Sequence, residues 1–165
     1  MEHMRLRRLA AAASLFAVAA IPQPLPAASE TGTLTARVEV VSTCTVRDAE
    51  IDFGTYVSGQ QDDVDATAVI EVAECPVGSV RLELDGGGSG NVRRRQMRDG
   101  SGHTVDYQIY ADSARRTVFG DGRSGRPLQL DAQGSGRVTV YARIPGGQVV
   151  PEGVYTDTVR VTMSF

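Results

Sequence analysis

The sequence contains no lysine, and all 17 of its basic residues are arginine. A chain without lysine has no side-chain amine for a Schiff base, for a lysine general base or for an isopeptide crosslink. Helical periodicity of apolar residues is nearly missing after residue 28, which argues against a helical domain. Cysteine and histidine are scarce, with two residues of each in the 165-residue chain. These shortages exclude several kinds of catalytic site before any motif is considered.

Residues 1–28 have the three parts of a secretory signal peptide. Three arginines at residues 5–8 precede an almost uninterrupted apolar run at residues 9–21, and small residues follow. This run is shorter than the roughly 20 residues that a bilayer span needs. We therefore favour a signal peptide over a membrane anchor, and we expect cleavage either after Ala19 or near Ala28.

Removal of residues 1–28 takes away three arginines and one glutamate and leaves a net charge of −5. A negative balance is not typical of a nucleic-acid-binding domain. The two cysteines, Cys44 and Cys75, both remain after export. In an oxidising compartment such a pair is most simply a disulfide. A metal pair or a nucleophilic thiol is the alternative, but two thiolates alone make a poor zinc site.

Short alternating runs of apolar and polar residues dominate the rest of the chain, and each is closed by Gly, Pro, Asp or Asn. Five runs predict strands at residues 69–73, 80–84, 105–110, 138–144 and 154–165. Their number and spacing are typical of a β-sandwich. We expect a flexible glycine-rich loop at residues 85–91 and further exposed segments at residues 58–65, 120–125 and 133–136.

Two alternating stretches stand near the two ends of the chain. The last one places on a single face Tyr155, Val159, Val161, Met163 and Phe165. Because the sequence stops at Phe165, we expect the second neighbour of this strand to come from elsewhere. The early stretch places on one face Leu34, Ala36, Val38 and Val40. From the residues alone, this stretch is either the first strand of its own sandwich or a strand that is given to another molecule.

Few residues suggest catalysis or metal binding. His103, the single histidine after residue 28, lies in a glycine-rich turn where nothing in the adjacent sequence would orient it. We expect a solvated turn residue rather than a base. Asp62, Asp63, Asp65 and Asp121 lack the ligand spacing of a calcium loop. The sequence therefore predicts no enzyme, no metal site and no cofactor.

Four arginines lie close together in the sequence: Arg93, Arg94, Arg95 and Arg98. They are candidates for a patch that binds phosphate or an anionic glycan. Because the net charge is negative and no aromatic residue flanks them, we favour a solvated face.

The run VYARIPGGQVVPEGVYTDTVRVTMSF at residues 140–165 resembles the C-terminal signature of the spore coat protein U domain family, the family of archaic chaperone–usher pilins. Further motifs of this resemblance lie upstream, in chain order: CTV at 44–46, IDFGTY at 51–56, CP at 75–76, RQM at 95–97, VDYQIYAD at 105–112 and FG at 119–120. The resemblance covers essentially the whole chain after the predicted signal peptide.

This resemblance implies an all-β fold, an incomplete immunoglobulin-like β-sandwich at residues 42–165 that lacks its last strand and comes after a donor-strand extension at residues 29–41. In this family a periplasmic chaperone lends a strand to the open groove, and an outer-membrane usher exchanges it for the extension of the next subunit. The donated side chains would be Leu34, Ala36, Val38 and Val40. The acceptor groove would be lined by Val46, Ile51, Phe53, Val159, Val161, Met163 and Phe165.

The expected function is that of a structural subunit of a surface pilus, present in the periplasm in transit and then at the cell surface, where it supports adhesion or biofilm formation. The expected partners are neighbouring subunits, the chaperone and the usher, with no nucleic acid and no membrane insertion after signal cleavage. Two alternatives stay open: a secreted spore-coat or surface-layer protein, and a glycan-binding adhesive module.

Overall fold

The structure is a computed structural model that describes residues 33–39, 43–75, 78–131 and 134–165. The predicted signal peptide at residues 1–28 and the predicted donor residue Val40 lie outside these ranges. The chain divides after Val38 into two units, and each is described by itself.

Eight short or medium strands are described in the second unit: β1 (Thr45–Val46), β2 (Val64–Cys75), β3 (Ser79–Leu84), β4 (Arg95–Arg98), β5 (Thr104–Tyr110), β6 (Leu128–Asp131), β7 (Gly134–Ile144) and β8 (Val161–Ser164). A single 3-10 turn at Gly87–Ser89 is the helical element of the described residues.

The strands form two sheets, and every described strand pair is antiparallel. Some pairs join consecutive strands, and others join strands that are far apart in the chain. One sheet has five strands in the order β1-β2-β7-β5-β4, and the other has three in the order β6-β3-β8. The longest ladder joins β2 to β7, from Val64 opposite Ile144 to Cys75 opposite Gly134. The β-sandwich predicted from the sequence is confirmed.

Inward-facing residues of both sheets share one hydrophobic core. Val80, Leu82 and Leu84 of β3 are at most 3% exposed, whereas Arg81 between them is exposed. Val72 of β2 is 1% exposed on the facing sheet. The period of two in the sequence therefore identifies the buried face of these strands correctly.

Several element bounds differ from the prediction. β2 extends over Val64–Cys75 rather than residues 69–73, because its ladder with β7, which has a register shift between Ala73 and Cys75, also holds polar residues. The same ladder takes residues 134–136 out of the predicted loop and into β7. β1, β4 and β6 escape prediction because each has four residues or fewer.

The last predicted strand, at residues 154–165, is largely not a ladder strand. Only Val161–Ser164 form β8, and Thr156 makes an isolated bridge with Arg98. Arg98 ends β4 in the five-stranded sheet, whereas β8 pairs with β3 in the three-stranded sheet. The segment crosses from one sheet to the other, so it cannot pair along its whole length with a single neighbour.

The predicted flexible loop at residues 85–91 is a hydrogen-bonded turn. Asp85 Oδ1 accepts the N–H of Gly87 at 2.9 Å, and the 3-10 turn closes from Gly90 N to Gly87 O at 3.0 Å. Gly86 is buried, and a Cβ there would collide with the backbone of Asn91. Glycine is required here by close packing of the backbone, and this run of glycines is not simply a sign of flexibility.

Candidate functional site

β8 has one hydrogen-bonded edge and one open edge in the described part of the chain. Its four residues pair with β3, from Val161 opposite Leu84 to Ser164 opposite Arg81. β3 is the middle strand of its sheet, with β6 on its other side. No strand of the described ranges pairs with the second edge of β8. Such an edge presents unpaired N–H and C=O groups, which are a template for another strand.

The inward face beside this open edge is only half covered. Val159, Val161 and Met163 are partly buried against the core, whereas Leu84 on the neighbouring β3 is 3% exposed. The predicted alternation is therefore correct along this segment as far as Met163. Phe165 lies at the end of the chain and is 56% exposed.

A second wall is formed by the segment at residues 44–56. Val46, Ile51 and Phe53 are partly buried against the same core. The Phe53 ring meets the Tyr107 ring edge-on, with the centroids 6.0 Å apart, a geometry that aromatic pairs favour. We call candidate groove the surface lined by Val46, Ile51, Phe53, Val159, Val161 and Met163. The structure thus brings six of the seven predicted acceptor residues onto one core.

The two walls touch at one end of the candidate groove. Met163 Sδ lies 3.5 Å from Cys44 Sγ. Cys44 forms a disulfide with Cys75, so its Sγ carries no proton and this is a van der Waals contact. The predicted disulfide is confirmed. It ties the start of the second wall covalently to the end of β2.

A half-buried aspartate fixes the C-terminal segment just before the open edge. Asp157 Oδ2 accepts a hydrogen bond of 2.8 Å from the Tyr107 hydroxyl, and its Oδ1 accepts the N–H of Gly88 at 2.7 Å. Burial, reinforced by the hydrogen bond to Asp157, raises the pKa of Tyr107, so this hydroxyl remains a donor. Asp85 adds a further anchor, because its Oδ1 accepts the N–H of Arg160 at 2.9 Å.

No role is predicted for Asp157 in the sequence analysis, although the sequence contains a signal for one. It lies two residues after Tyr155 and two before Val159, on the face of the strand that alternation places inward. A carboxylate on an apolar face needs hydrogen-bond partners. Its position therefore marks a place where the segment is held by polar contacts.

Arg95 corrects the expectation of a solvated arginine face, because its exposure is 0%. Its guanidinium donates to the carbonyl oxygens of Asp85 at 2.7 Å and Phe119 at 2.9 Å, and to Gln108 Oε1 at 2.6 Å. Burial lowers the pKa of Arg95 from its usual value. These bonds connect the end of β3 with β5, which belong to different sheets. The other arginines of the predicted set are exposed: Arg93, Arg94 and Arg98.

His103 is an exposed turn residue, as predicted, but a neighbour does orient it. Its Nδ1 lies 2.7 Å from Asp99 Oδ2, and Asp99 Oδ1 accepts the backbone N–H of His103 at 2.8 Å. The hydrogen bond from the His103 ring lowers the pKa of Asp99. The pair closes the turn that joins β4 to β5.

Residues 33–39 of the N-terminal stretch form no strand and are all exposed. Leu34 is 95% and Val38 is 81% exposed, and Ala36 between them is exposed as well. Burial of such exposed apolar side chains against another surface would lower the free energy of the system. The role of these residues as a donor strand stays a prediction.

Within the ranges that the structure describes, no three His, Cys, Asp or Glu residues are grouped so as to hold a metal ion. In those same ranges no helix has the length and apolar character needed to cross a membrane.

Comparison with known sequences gives two concordant matches. The model of the Spore Coat Protein U domain matches residues 30–162. Protein U of Myxococcus xanthus is 31% identical over 173 residues, which cover 94% of this chain and 93% of that protein. The chain belongs to the spore coat protein U domain family. The resemblance noted in the sequence is thereby confirmed.

Among solved structures, the spore coat protein U domain described here is similar to a chain of the chaperone–tip adhesion subunit pre-assembly complex from the archaic chaperone–usher Csu pili of Acinetobacter baumannii. The TM-score is 0.53 and the sequence identity is 18%. The match covers 74% of this chain, which spans 39% of the other. At this identity the likeness shows the fold, and the fold is the expected immunoglobulin-like β-sandwich.

Proposed function

We propose that this protein is a structural subunit of a surface pilus, assembled by the chaperone–usher pathway through donor-strand exchange and serving adhesion or biofilm formation. The observation that carries the proposal is the open edge of β8 beside the half-covered candidate groove. An extended strand satisfies both features at once. Its main chain bonds the edge, and its alternate side chains fill the groove.

The donor that fits this site is the extension at residues 29–41 of a neighbouring copy. Four apolar side chains of that extension share one face: Leu34, Ala36, Val38 and Val40. The opposite face carries Thr35, Arg37 and Glu39. A shift of one residue would turn the charged side chains into the groove, so the register of donation is strict.

A subunit with an open edge is exposed to edge-to-edge aggregation, so it needs a temporary strand before assembly. We assign this role to a periplasmic chaperone, met after export by the signal peptide at residues 1–28. Exchange for the next subunit's extension is assigned to an outer-membrane usher. The structural relative from Acinetobacter baumannii was solved as a chaperone–subunit pre-assembly complex, which supports the chaperone step. Head-to-tail donation does not close on itself, so it grows a filament of subunits whose role is structural rather than catalytic.

A coat or surface layer is the second candidate, and the description of the matching family model as a Spore Coat Protein U domain favours it. Both candidates polymerise by the same strand exchange. Negative-stain electron microscopy of cells that express the protein with its assembly partners separates them, because a pilus gives thin fibres and a coat gives a continuous layer.

The direct test of strand acceptance uses a variant that lacks residues 29–41 and a synthetic peptide of residues 30–41. Refolding with the peptide should give a soluble complex in which the β8 amides that point to the open edge become protected from hydrogen exchange, in addition to those already bonded to β3. A peptide of the same composition in scrambled order is the control and should give no added protection. If the native peptide leaves the amides of β8 as unprotected as the scrambled one does, the proposed donor strand is wrong.

A further inference from the structure

Three arginines from separate connecting segments line one open cavity of about 280 Å³. They are Arg93, Arg116 and Arg126, and the rest of the lining is Thr117, Val118 and Gly125. All three arginines are exposed. The cavity shares no residue with the candidate groove, so a role for this cavity does not depend on strand exchange.

Local hydrogen bonds fix two of the three arginines through their backbones. The N–H of Arg93 donates to Asn91 Oδ1 at 3.0 Å. The N–H of Arg126 donates to the carbonyl oxygen of Val118 at 2.8 Å. Neither bond involves a guanidinium, so the charged ends are left for another partner.

The backbone of Arg116 is fixed in the same way, by a carboxylate that forms no described salt bridge with the Arg116 guanidinium group. Asp112 Oδ2 accepts the backbone N–H of Arg116 at 3.2 Å and that of Thr117 at 2.7 Å. Asp121 likewise accepts the backbone N–H of Ser124 at 2.6 Å. The nearby carboxylates are therefore engaged with the main chain of the turns.

Several other arginines of the domain are paired with carboxylates. Arg94 pairs with Asp106, and Arg115 with Asp65. Among the residues that the structure describes, no salt bridge joins a carboxylate to Arg93, Arg116 or Arg126. Three arginines without a described salt-bridge partner around one concavity concentrate positive charge on a protein whose net charge is −3.

We propose that this cavity binds an acidic polysaccharide, with a carboxylate or sulfate group of one sugar held by Arg93, Arg116 and Arg126. The planar guanidinium group matches such oxyanions with two parallel hydrogen bonds. No aromatic side chain of the described residues lines the cavity, so none of them stacks there on a nucleic-acid base. A single concavity also differs from the extended basic track that a nucleic-acid backbone requires.

The test compares two double variants of the full exported protein that carry the same charge change. Arg116→Gln with Arg126→Gln removes two cavity arginines. Arg47→Gln with Arg137→Gln removes two exposed arginines that both pair with Glu71. Immobilised polygalacturonate and dextran sulfate are the carboxylate and sulfate probes. Neutral dextran and single-stranded DNA complete the set.

We expect the parent protein to bind at least one acidic polysaccharide and not to bind neutral dextran. The cavity variant should lose at least about tenfold in affinity, and the Glu71-site variant should stay within about twofold. Tighter binding to polygalacturonate would identify carboxylate as the ligand group, and tighter binding to dextran sulfate would identify sulfate. Arg93→Gln lies on a different segment and should by itself lower the affinity for the polysaccharide several-fold. This single variant replaces the double variant in the test if the double variant does not fold.

Three results would overturn the assignment. Equal losses in the two double variants would mean that general electrostatic attraction holds the polymer. Tighter binding of single-stranded DNA than of either polysaccharide would identify a nucleic-acid site instead. Absence of binding by the parent protein to both acidic polysaccharides would leave the cavity without the proposed ligand.

Discussion

The Tyr107 hydroxyl donates a hydrogen bond of 2.8 Å to Asp157 Oδ2, and this bond ties β5 to the segment that leads to β8. Tyr107 belongs to β5 in the five-stranded sheet, whereas Asp157 lies in the segment that leads to β8 in the three-stranded sheet. The strand with the open edge is thus anchored to the opposite sheet. The segment before β8 is therefore held in place by contacts within this chain, without any contribution from a partner strand.

Loss of the hydrogen bond between Tyr107 and Asp157 should destabilise the domain, and the effects of substituting the two residues should not be additive. Tyr107→Phe should lower the free energy of unfolding by about 1 kcal/mol, and Asp157→Ala by about 2–3 kcal/mol because it also leaves the N–H of Gly88 unpaired. The double variant should lose less than the sum, since both changes remove one shared bond. Urea unfolding of the strand-complemented protein measures this. Strict additivity would show that the bond contributes nothing, and Thr158→Ala is the exposed control.

Arg95→Met should be among the most damaging single changes in the described core. It leaves the carbonyl oxygens of Asp85 and Phe119 without their donor, at an expected loss of about 3 kcal/mol or more. The matched change Arg94→Met removes a charge that is 69% exposed and should cost less than about 1 kcal/mol. The midpoints of urea unfolding give the comparison. Similar midpoints for the two variants would contradict the structural role of Arg95.

Val161→Arg should abolish stable complexes with a strand donor, because it places a guanidinium on the half-covered face of the candidate groove. Thr162→Arg introduces the same charge one residue away on the exposed face and should leave complex formation unchanged. The measurement is the yield of complex with the periplasmic chaperone or with the peptide of residues 30–41. An unchanged yield for the first variant would count against the groove.

Val38→Arg in the N-terminal extension should block donation while leaving acceptance intact. The variant should still bind the chaperone, but it should not be incorporated behind another subunit, and a chain truncated before Val41 should behave likewise. Thr35→Arg carries the same charge change on the opposite face and should polymerise normally. Mixed assembly of tagged subunits measures incorporation. Normal polymerisation of the truncated chain would refute the donor assignment.

Part of this fold is predictable because it is decided locally. The buried face of β3 follows from strict alternation of apolar side chains, and the structure reproduces it, whereas in β5 the polar Gln108 is buried as well. Burial of Arg95 is different, since its acceptors on Asp85 and Phe119 lie 10 and 24 residues away in the chain. In the sequence it is one of three consecutive arginines, and nothing local distinguishes it from its neighbours.

The candidate site divides in the same way. Alternation places Val159, Val161 and Met163 on one face, but it does not reveal that the segment changes sheets between Thr156 and β8. That crossing depends on the bridge between Thr156 and Arg98, which is a long-range contact. The acceptor and donor roles come from the family resemblance and stay predictions. The arginine cavity is hidden in the sequence because its three arginines come from three separate segments of the chain.

The disulfide between Cys44 and Cys75 has a mechanical consequence for a subunit held in a fibre. Tension applied through the extension that precedes Cys44 would meet β1, which is secured by only two ladder pairs. The crosslink passes that load directly to the end of β2, which is paired with β7 from Val64 to Cys75. Pulling on the fibre would therefore strain the best-paired of the described strands and would not peel β1 off its sheet.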